Sequence, residues 1–293
     1  MTVDKQVDKH MATAAIAHPL RPFLKWAGGK RQLLGAIVPR LPANYRTYYE
    51  PFLGAGALLL HLQPARAIVN DINPELINCY QVIQSQPQEL IAELDKLKQQ
   101  NNPEFYYQIR SWDRQIAYQG LTAPRRAARM IFLNRTCYNG LYRVNSKGEF
   151  NVPFGNYKQL HLPDPELINA LHGYLRRVKI LCTDFKLAVE TATVGDLIYF
   201  DPPYDPVSPT ASFTSYSRGG FGPREQERLK QLVDDLSNRG CFVLVSNACT
   251  EFIRELYRGY CQRQVTASRA INSKASDRGK INELLIANYP LGE

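Results

Sequence analysis

The chain reads as an α/β protein, a doubly wound mixed sheet interrupted by a long helical insertion. Three observations predict this. Short apolar runs of the kind buried in parallel sheets alternate with helix-like segments. Two further strand candidates follow one another at the end of the chain. Between Asp71 and Val178, about a hundred residues show helical spacing and no buried strand.

The strand candidates are TYYE (47–50), AIVND (67–71), VKILC (178–182), DLIYFD (196–201) and CFVLVSN (241–247), then stretches around 259–266 and 282–289. Helical spacing covers 75–99, 103–118 and 123–137. One strand pair at the start cannot form a sheet by itself, so the helical block is an insertion after the second strand. The predicted division is a mobile tail over 1–21, a sheet domain over 22–75 and 165–293, and an inserted unit over 76–164 that carries a β-hairpin.

Composition narrows the classes. With 293 residues, 44% hydrophobic and 22% charged, the chain has the make-up of a soluble globular protein. Its 36 Lys+Arg against 27 Asp+Glu leave +9, which suits a polyanionic partner without establishing one. No apolar run approaches the length of a membrane span, and the first residues lack the apolar core of a signal peptide. The six cysteines form no CxxC pair; Cys182 and Cys241 sit in apolar runs and are expected to be buried, reduced thiols in a cytosolic protein. The five histidines show no ligand pattern, so no metal is expected.

EPFLGAGALLL (50–60) follows the first strand candidate and opens a helix. Gly54 and Gly56 allow a tight turn and close backbone approach to a ligand, and Asp71 ends the next strand where nucleotide folds place a carboxylate on ribose hydroxyls. Leu59 stands where the dinucleotide fingerprint needs a third glycine, which points to a nucleoside without phosphates, such as S-adenosylmethionine. A plain tight turn remains the alternative. Upstream, PFLKWAGGKRQLL (22–34) offers Trp26 and Lys30 on a flap beside that ligand's methionine end, or simply a capped helix start.

LIYFDPPYDP (197–206) brings a buried strand to a carboxylate, two prolines and an exposed aromatic ring. Pro202 and Pro203 stiffen the turn and donate no hydrogen bond. The Asp201 carboxylate and the Pro202 carbonyl are then two acceptors beside the flat face of Tyr204. That set fits a nucleobase amine, whose delocalised lone pair is brought out towards an electrophile when both N–H bonds are held. A methyl sulfonium is such an electrophile, and in-line methyl transfer from it to the nitrogen, with a neutral thioether leaving, depends on orientation more than on a strong base. A base within a duplex must be flipped out to reach this pocket.

PFLKWAGGK, EPFLGAG, NDIN, DPPY and RGKINELLIANY stand in the order found in Dam-type N6-adenine DNA methyltransferases, and the resemblance runs from about residue 22 to 289. It implies a Rossmann-like, S-adenosylmethionine-dependent methyltransferase fold acting on adenine N6 in double-stranded DNA. By this resemblance Trp26, Lys30, Asp71 and Asp201 match cofactor-contacting positions. Glu50, Pro51, Gly54 and Gly56 join them through the glycine motif, and Asp184 with Phe185 hold the cofactor's adenine. Asp201-Pro202-Pro203-Tyr204 matches the catalytic motif.

Residues 110–159 carry nine Lys/Arg and two acids, a net of +7, which suits phosphate contact. A solvated basic face is the bland alternative. Asn145–Gly148 reads as a turn between hairpin arms at Leu141–Val144 and Glu149–Val152. LNRTCYNGLYRVNSKGEFNVPFGNYK (133–158) is very similar to the recognition segment of Dam-type enzymes, which act on GATC. The match places Arg143 on guanine, Leu141 and Pro153 on thymine, and Tyr138 with Asn139 as a wedge in the gap left by the flipped base. It places Lys25 on the first guanine and Arg110 and Arg135 on the DNA backbone. Asn156 departs from the pattern by standing where related enzymes carry an Arg. FTSYSRGGF (213–221) is expected to be a mobile loop that orders when adenine arrives, or a loop without function.

The resulting expectation is a monomeric GATC-directed adenine methyltransferase, with no membrane or metal partner and, in a restriction–modification setting, a separate cognate endonuclease. Methylation of RNA or of another amine, and a catalytically silent DNA binder, remain the alternatives.

Overall fold

A computed structural model describes residues 20–206, 221–268 and 280–292. The predicted N-terminal tail lies almost wholly outside the described residues, as does FTSYSRGGF except for Phe221. Seven strands form one mixed sheet: β1 (Tyr48–Glu50), β2 (Ala67–Asn70), β3 (Val178–Leu181), β4 (Leu197–Phe200), β5 (Phe242–Ala248), β6 (Cys261–Ser268) and β7 (Lys280–Ala287). Their order is β3-β2-β1-β4-β5-β7-β6. The first five are parallel, and β7 runs antiparallel between β5 and β6.

Alternation along each strand explains why all of β4 is apolar. Tyr48, Leu197, Tyr199 and Leu244 point into one buried cluster, whereas Tyr49, Ile198, Phe200, Val243 and Val245 point into a second on the opposite face. A strand covered on both faces has no polar side to show. The second face is covered by α8 (Phe185–Ala188), α9 (Pro223–Asn238) and α10 (Glu251–Leu256). The first cluster continues from the sheet into α2 (Ala57–Leu62), α3 (Pro74–Ser85), α4 (Pro87–Lys98), α5 (Pro103–Arg110), α6 (Ala123–Thr136) and α7 (Pro165–Leu175). A short α1 (Leu34–Ile37) precedes β1. Residues 76–164 therefore share a core with the sheet.

Several expectations need correction. The helical stretch 75–99 is two helices, because Pro87 has no N–H to continue α3 and instead starts α4. The stretch 103–118 holds α5 and then 3₁₀ turns at Ser111–Arg114 and Ile116–Gly120. The hairpin is reduced to one bridge, Val144 with Phe150, around the turn closed by Gly148 N–H to Asn145 O at 2.9 Å. Cys182 is exposed rather than buried: β3 is the edge strand and ends one residue earlier. Cys241 is buried as expected.

Nor is all of the basic insertion a free cationic face. Arg129 is buried, pairs with Asp113 at 2.8 Å, and donates to the carbonyls of Ile109 and Arg110. Asp113 also accepts from the Phe150 amide at 2.7 Å, so this pair ties α5 and α6 to the turn segment. Replacing Arg129 with Met keeps volume but leaves a buried carboxylate unpaired. We expect a loss of about 3–5 kcal/mol in urea unfolding; a loss below about 1 kcal/mol, as for a surface pair, would show that the pair does not brace the insertion.

Candidate active site

The strands β1 and β4 are neighbours, and their connections leave to opposite sides, β1 towards β2 and β4 towards β5. At such a switch point in an α/β sheet the C-terminal ends frame a crevice. Here β1 delivers Glu50 and the glycine turn, and β4 delivers Asp201. Trp26, Lys30, Glu50, Gly54, Gly56 and Asp201 line one cleft.

Lys30 is the pivot. Its side chain is 6% exposed, and its Nζ lies 2.7 Å from Asp201 Oδ1 and donates to Gly28 O at 2.7 Å. It also lies 4.6 Å from the centre of the Tyr204 ring. Ser246 donates to the same Asp201 oxygen at 3.1 Å. Burial raises the Asp201 carboxyl above the usual range, against the pull of Lys30. Glu50 is buried and accepts from the Tyr48 hydroxyl at 2.9 Å. Burial, reinforced by the charge of Asp201, pushes its carboxyl up to about 8.

The glycine turn cannot carry side chains. Gly54 and Gly56 have φ of +50° and +66°, and a Cβ would lie 2.9 Å from the Trp26 ring at the first and 2.8 Å from the Tyr80 hydroxyl at the second. Tyr80 donates to Gly54 O, and Trp26 stacks on Tyr142 with ring centres 5.4 Å apart.

Three residues of NDIN form a wall beside the glycine turn, outside the lining of that cleft. Asn70 is buried; its amide donates to the carbonyls of Pro51 and Thr183 and its oxygen accepts from the Thr183 amide, which joins the turns after β1 and β3. Asp71 accepts from Gly54 N–H at 2.9 Å and Asn73 N–H at 3.0 Å, while burial raises its carboxyl. Asn73 caps α3. Beyond this wall, Asp184 caps α8, and Phe185 meets Phe52 of the glycine turn at 5.3 Å. Burial opposes ionisation of Asp184, but Arg228 at 2.5 Å and the Lys186 amide outweigh it and hold the carboxyl below its usual range.

The DPPY turn is less open than its sequence suggests. Tyr204 is half-buried, and its hydroxyl donates to Glu283 at 2.5 Å. Pro203 O accepts from the Gln226 amide, which is held in turn by Asn247; Asn247 also accepts from the Asp205 amide. Among the described residues no donor engages the Pro202 carbonyl.

The remaining candidates gather on the segment after α6. Tyr138 is 43% exposed, and its amide donates to Pro153 O, so these two positions are neighbours. Asn139 adopts φ +55°. Arg143 is exposed, with its guanidinium held by Asn151 at 2.7 Å, and Leu141 is half-buried against the core. Asn156 has φ +53°, a left-handed conformation that Asn tolerates better than a long side chain, which gives the departure at this position a backbone reason. Arg110 donates to Val152 O and lies over Tyr107, and Arg135 donates to Phe23 O. Lys25 sits 4.4 Å over the Tyr157 ring, and burial with the nearby charge of Arg135 lowers its pKa.

Sequence reasoning missed the buried amides that hold these parts. Asn134 accepts from Lys25 N–H and donates to the carbonyls of Lys25 and Gly140, joining the flap to the Tyr138 turn. It also missed Ser246, Asn247, Gln226 and Glu283. A polar Ser-Asn ending on an otherwise apolar β5 was a usable signal for two of them, and Glu283 stands in the RGKINELLIANY motif without its partner being legible; Gln226 gave none.

Comparison with known proteins agrees with this geometry. Residues 26–271 match the family model of the D12 class N6 adenine-specific DNA methyltransferases. The chain is 44% identical to type II methyltransferase M1.LlaDCHI of Lactococcus lactis subsp. cremoris, over 92% of this chain and 96% of that protein. It is 41% identical to type II methyltransferase M.MjaIII of Methanocaldococcus jannaschii, over 92% and 99%. Against a DNA adenine methylase of Vibrio cholerae it is 39% identical, over 92% and 96%. The mixed seven-stranded α/β sheet and these matches define the class as a DNA methyltransferase. The chain belongs to the D12 class N6 adenine-specific DNA methyltransferases.

The buried carboxylates give this site a pH signature. Folded Glu50 keeps its proton to about pH 8, whereas an unfolded glutamate releases it near 4.5. The folded state therefore binds more protons between these values, and stability from this group is full below the lower value and lost as pH rises through the upper one. Asp71 and Asp201 shift the same way, so Glu50 is isolated by comparing wild type with Glu50→Gln. The variant is expected to flatten the decline in melting temperature from about pH 5 to 8. Parallel profiles for the two proteins would remove Glu50 from this role.

Proposed function

We propose that the chain transfers a methyl group from S-adenosylmethionine to N6 of an adenine flipped out of duplex DNA, within GATC. The observation that carries this reading is the juxtaposition of the glycine turn and Asp201 across β1 and β4, linked by Lys30 at 2.7 Å.

The residues present fit such a cofactor. Three carboxylates with raised pKa values, Glu50, Asp71 and Asp201, surround the crevice against the one ammonium of Lys30, which favours a cationic ligand. The side-chain-free turn at Gly54 and Gly56 would carry the nucleoside, with Asp71 at its ribose. Ile72, 60% exposed beside Asp71, and Phe185 offer apolar walls for the adenine, and Asp184 a polar edge. Trp26 and Lys30 would border the methionine end. S-adenosylmethionine, when bound, supplies an electrophilic methyl group on a positively charged sulfur.

The chain's own work is to hold and orient. The bonds that Lys30 and Ser246 give Asp201 both end on Oδ1, so Oδ2 and the Pro202 carbonyl are the acceptors for the two N–H bonds of the adenine amine. Held this way, the nitrogen directs its lone pair along the transfer line. The Tyr204 ring stacks on the base, worth about 1–3 kcal/mol in comparable single-strand sites. A carboxyl made more basic by burial then suits Asp201 to take the proton that the nitrogen loses.

Residues 76–164 read the DNA in this proposal. Tyr138, exposed beside Pro153, fills the gap left by the base. Arg143, on the exposed turn, pairs with guanine O6 and N7 in the major groove. Lys25 reaches the first guanine, while Arg110 and Arg135 lie along the backbone.

The first test is to incubate the protein and S-adenosylmethionine with a duplex carrying one GATC, beside a control in which it is GTTC, and to measure N6-methyladenine by mass spectrometry. Methylation confined to GATC supports the whole reading; equal methylation of both would sink the recognition assignment. Asp201→Asn is expected to cut transfer by about 10²–10³-fold or more with cofactor binding retained in calorimetry, and near-normal turnover would remove Asp201 from catalysis. Arg143→Ala is expected to lose roughly 1–3 kcal/mol of discrimination at guanine, read from kcat/KM on matched and substituted sites.

A further inference from the structure

Among the motifs of the sequence, RGKINELLIANY has no chemical role in the reading above. The structure places one of its residues against the catalytic turn. β7 runs antiparallel to β5, so its first residues, rather than its last, lie at the edge where β4 and β5 end; Glu283 pairs in register with Ala248, the final residue of β5. From that position its Oε2 accepts the Tyr204 hydroxyl at 2.5 Å. The neighbouring β7 residues Leu284, Leu285 and Ile286 are wholly buried, which fixes the strand that carries the carboxylate.

Tyr204 needs such a fixture. Lys30 lies over one face of its ring, and Pro203 ahead of it is held by Gln226 through its carbonyl. These contacts restrain the turn and a ring face but not the far end of the side chain. The bond to Glu283 does, because it holds the phenolic oxygen against the swing of the side chain about its Cα–Cβ bond. A carboxylate acceptor makes the stronger, charge-assisted type of bond, and its short length agrees.

We propose that Glu283 is a positioning residue for methyl transfer: by accepting the Tyr204 hydroxyl it fixes the place of the ring on which the target base stacks. The role rests on the reading of Tyr204 as the stacking ring. Glu283 touches neither cofactor nor base in this proposal; its charge also helps raise the Asp201 carboxyl, but its positioning role acts through Tyr204. A chain that loses the bond keeps its stacking surface but presents it in several orientations, so the loss falls on the transfer step rather than on DNA affinity.

A double-mutant cycle separates this from a merely structural acid. Single-turnover methylation of a duplex that the wild type methylates would be measured for Glu283→Ala, Tyr204→Phe and the double variant, together with duplex affinity and melting temperature. Each single variant is expected to slow transfer by roughly tenfold, with duplex affinity little changed, and the double variant to be no slower than either. Glu283→Gln, which keeps an acceptor oxygen, is expected to recover most of the rate. If Glu283→Ala slows transfer equally in the Tyr and Phe backgrounds, or if its effect follows melting temperature alone, the proposal is overturned. Tyr204→Ala distinguishes the two layers. Unchanged transfer in that variant rejects the stacking role of Tyr204 itself, whereas a loss there without coupling to Glu283 rejects the positioning role only.

Discussion

The placement of β1 beside β4 is the constraint from which the site follows. Parallel strands end at one edge, and these two end one beside the other, so a carboxylate from each, Glu50 and Asp201, reaches the same small volume. Glu50 and Lys30 are almost fully buried and Asp201 is largely so, and the groups can coexist there because Lys30 bridges to Asp201 while Glu50 accepts from Tyr48 and keeps its proton to about pH 8. Removing water raises the cost of every unpaired charge, and the upward shifts of Glu50, Asp71 and Asp201 register that cost. A cationic ligand relieves it.

Buried amides hold the surrounding pieces in place. Asn70 joins the turns after β1 and β3, Asn134 joins the Lys25–Trp26 flap to the Tyr138 turn, and Gln226 with Asn247 supports the DPPY turn. Each spends a donor and an acceptor on backbone groups that irregular chain would otherwise leave unpaired. Buried hydrogen bonds restrain these loops, which is what a reaction governed by orientation requires. Through Asn134, and through Trp26 stacked on Tyr142, the exposed turn after α6 is mechanically continuous with the glycine turn.

The insertion shows how basic residues divide their labour. Arg129 is buried against Asp113, Arg126 pairs with Glu75, and Arg114 donates to Phe150 O, while Arg143 and Lys147 stand exposed on the turn. Guanidinium groups have enough donors to bridge carboxylates and carbonyls between helices that lack sheet hydrogen bonds. Net charge in a segment therefore overstates what is available to a polyanion.

Much of this protein was determined by the sequence alone. Period-two burial and continuous apolar runs located every strand of the sheet to within a few residues, and glycine and proline marked the two turns of the site, because those residues dictate backbone conformation wherever they stand. The same local logic fails for partners set by strand order. Nothing near Glu283 in the chain announces Tyr204, and nothing near Asp113 announces Arg129, since an antiparallel β7 and a shared helical core bring them together. Cys182 looks interior until the sheet places β3 at its edge. Local backbone chemistry is written residue by residue, whereas the environment of a side chain is a property of the packed whole, and only the tertiary structure decides it.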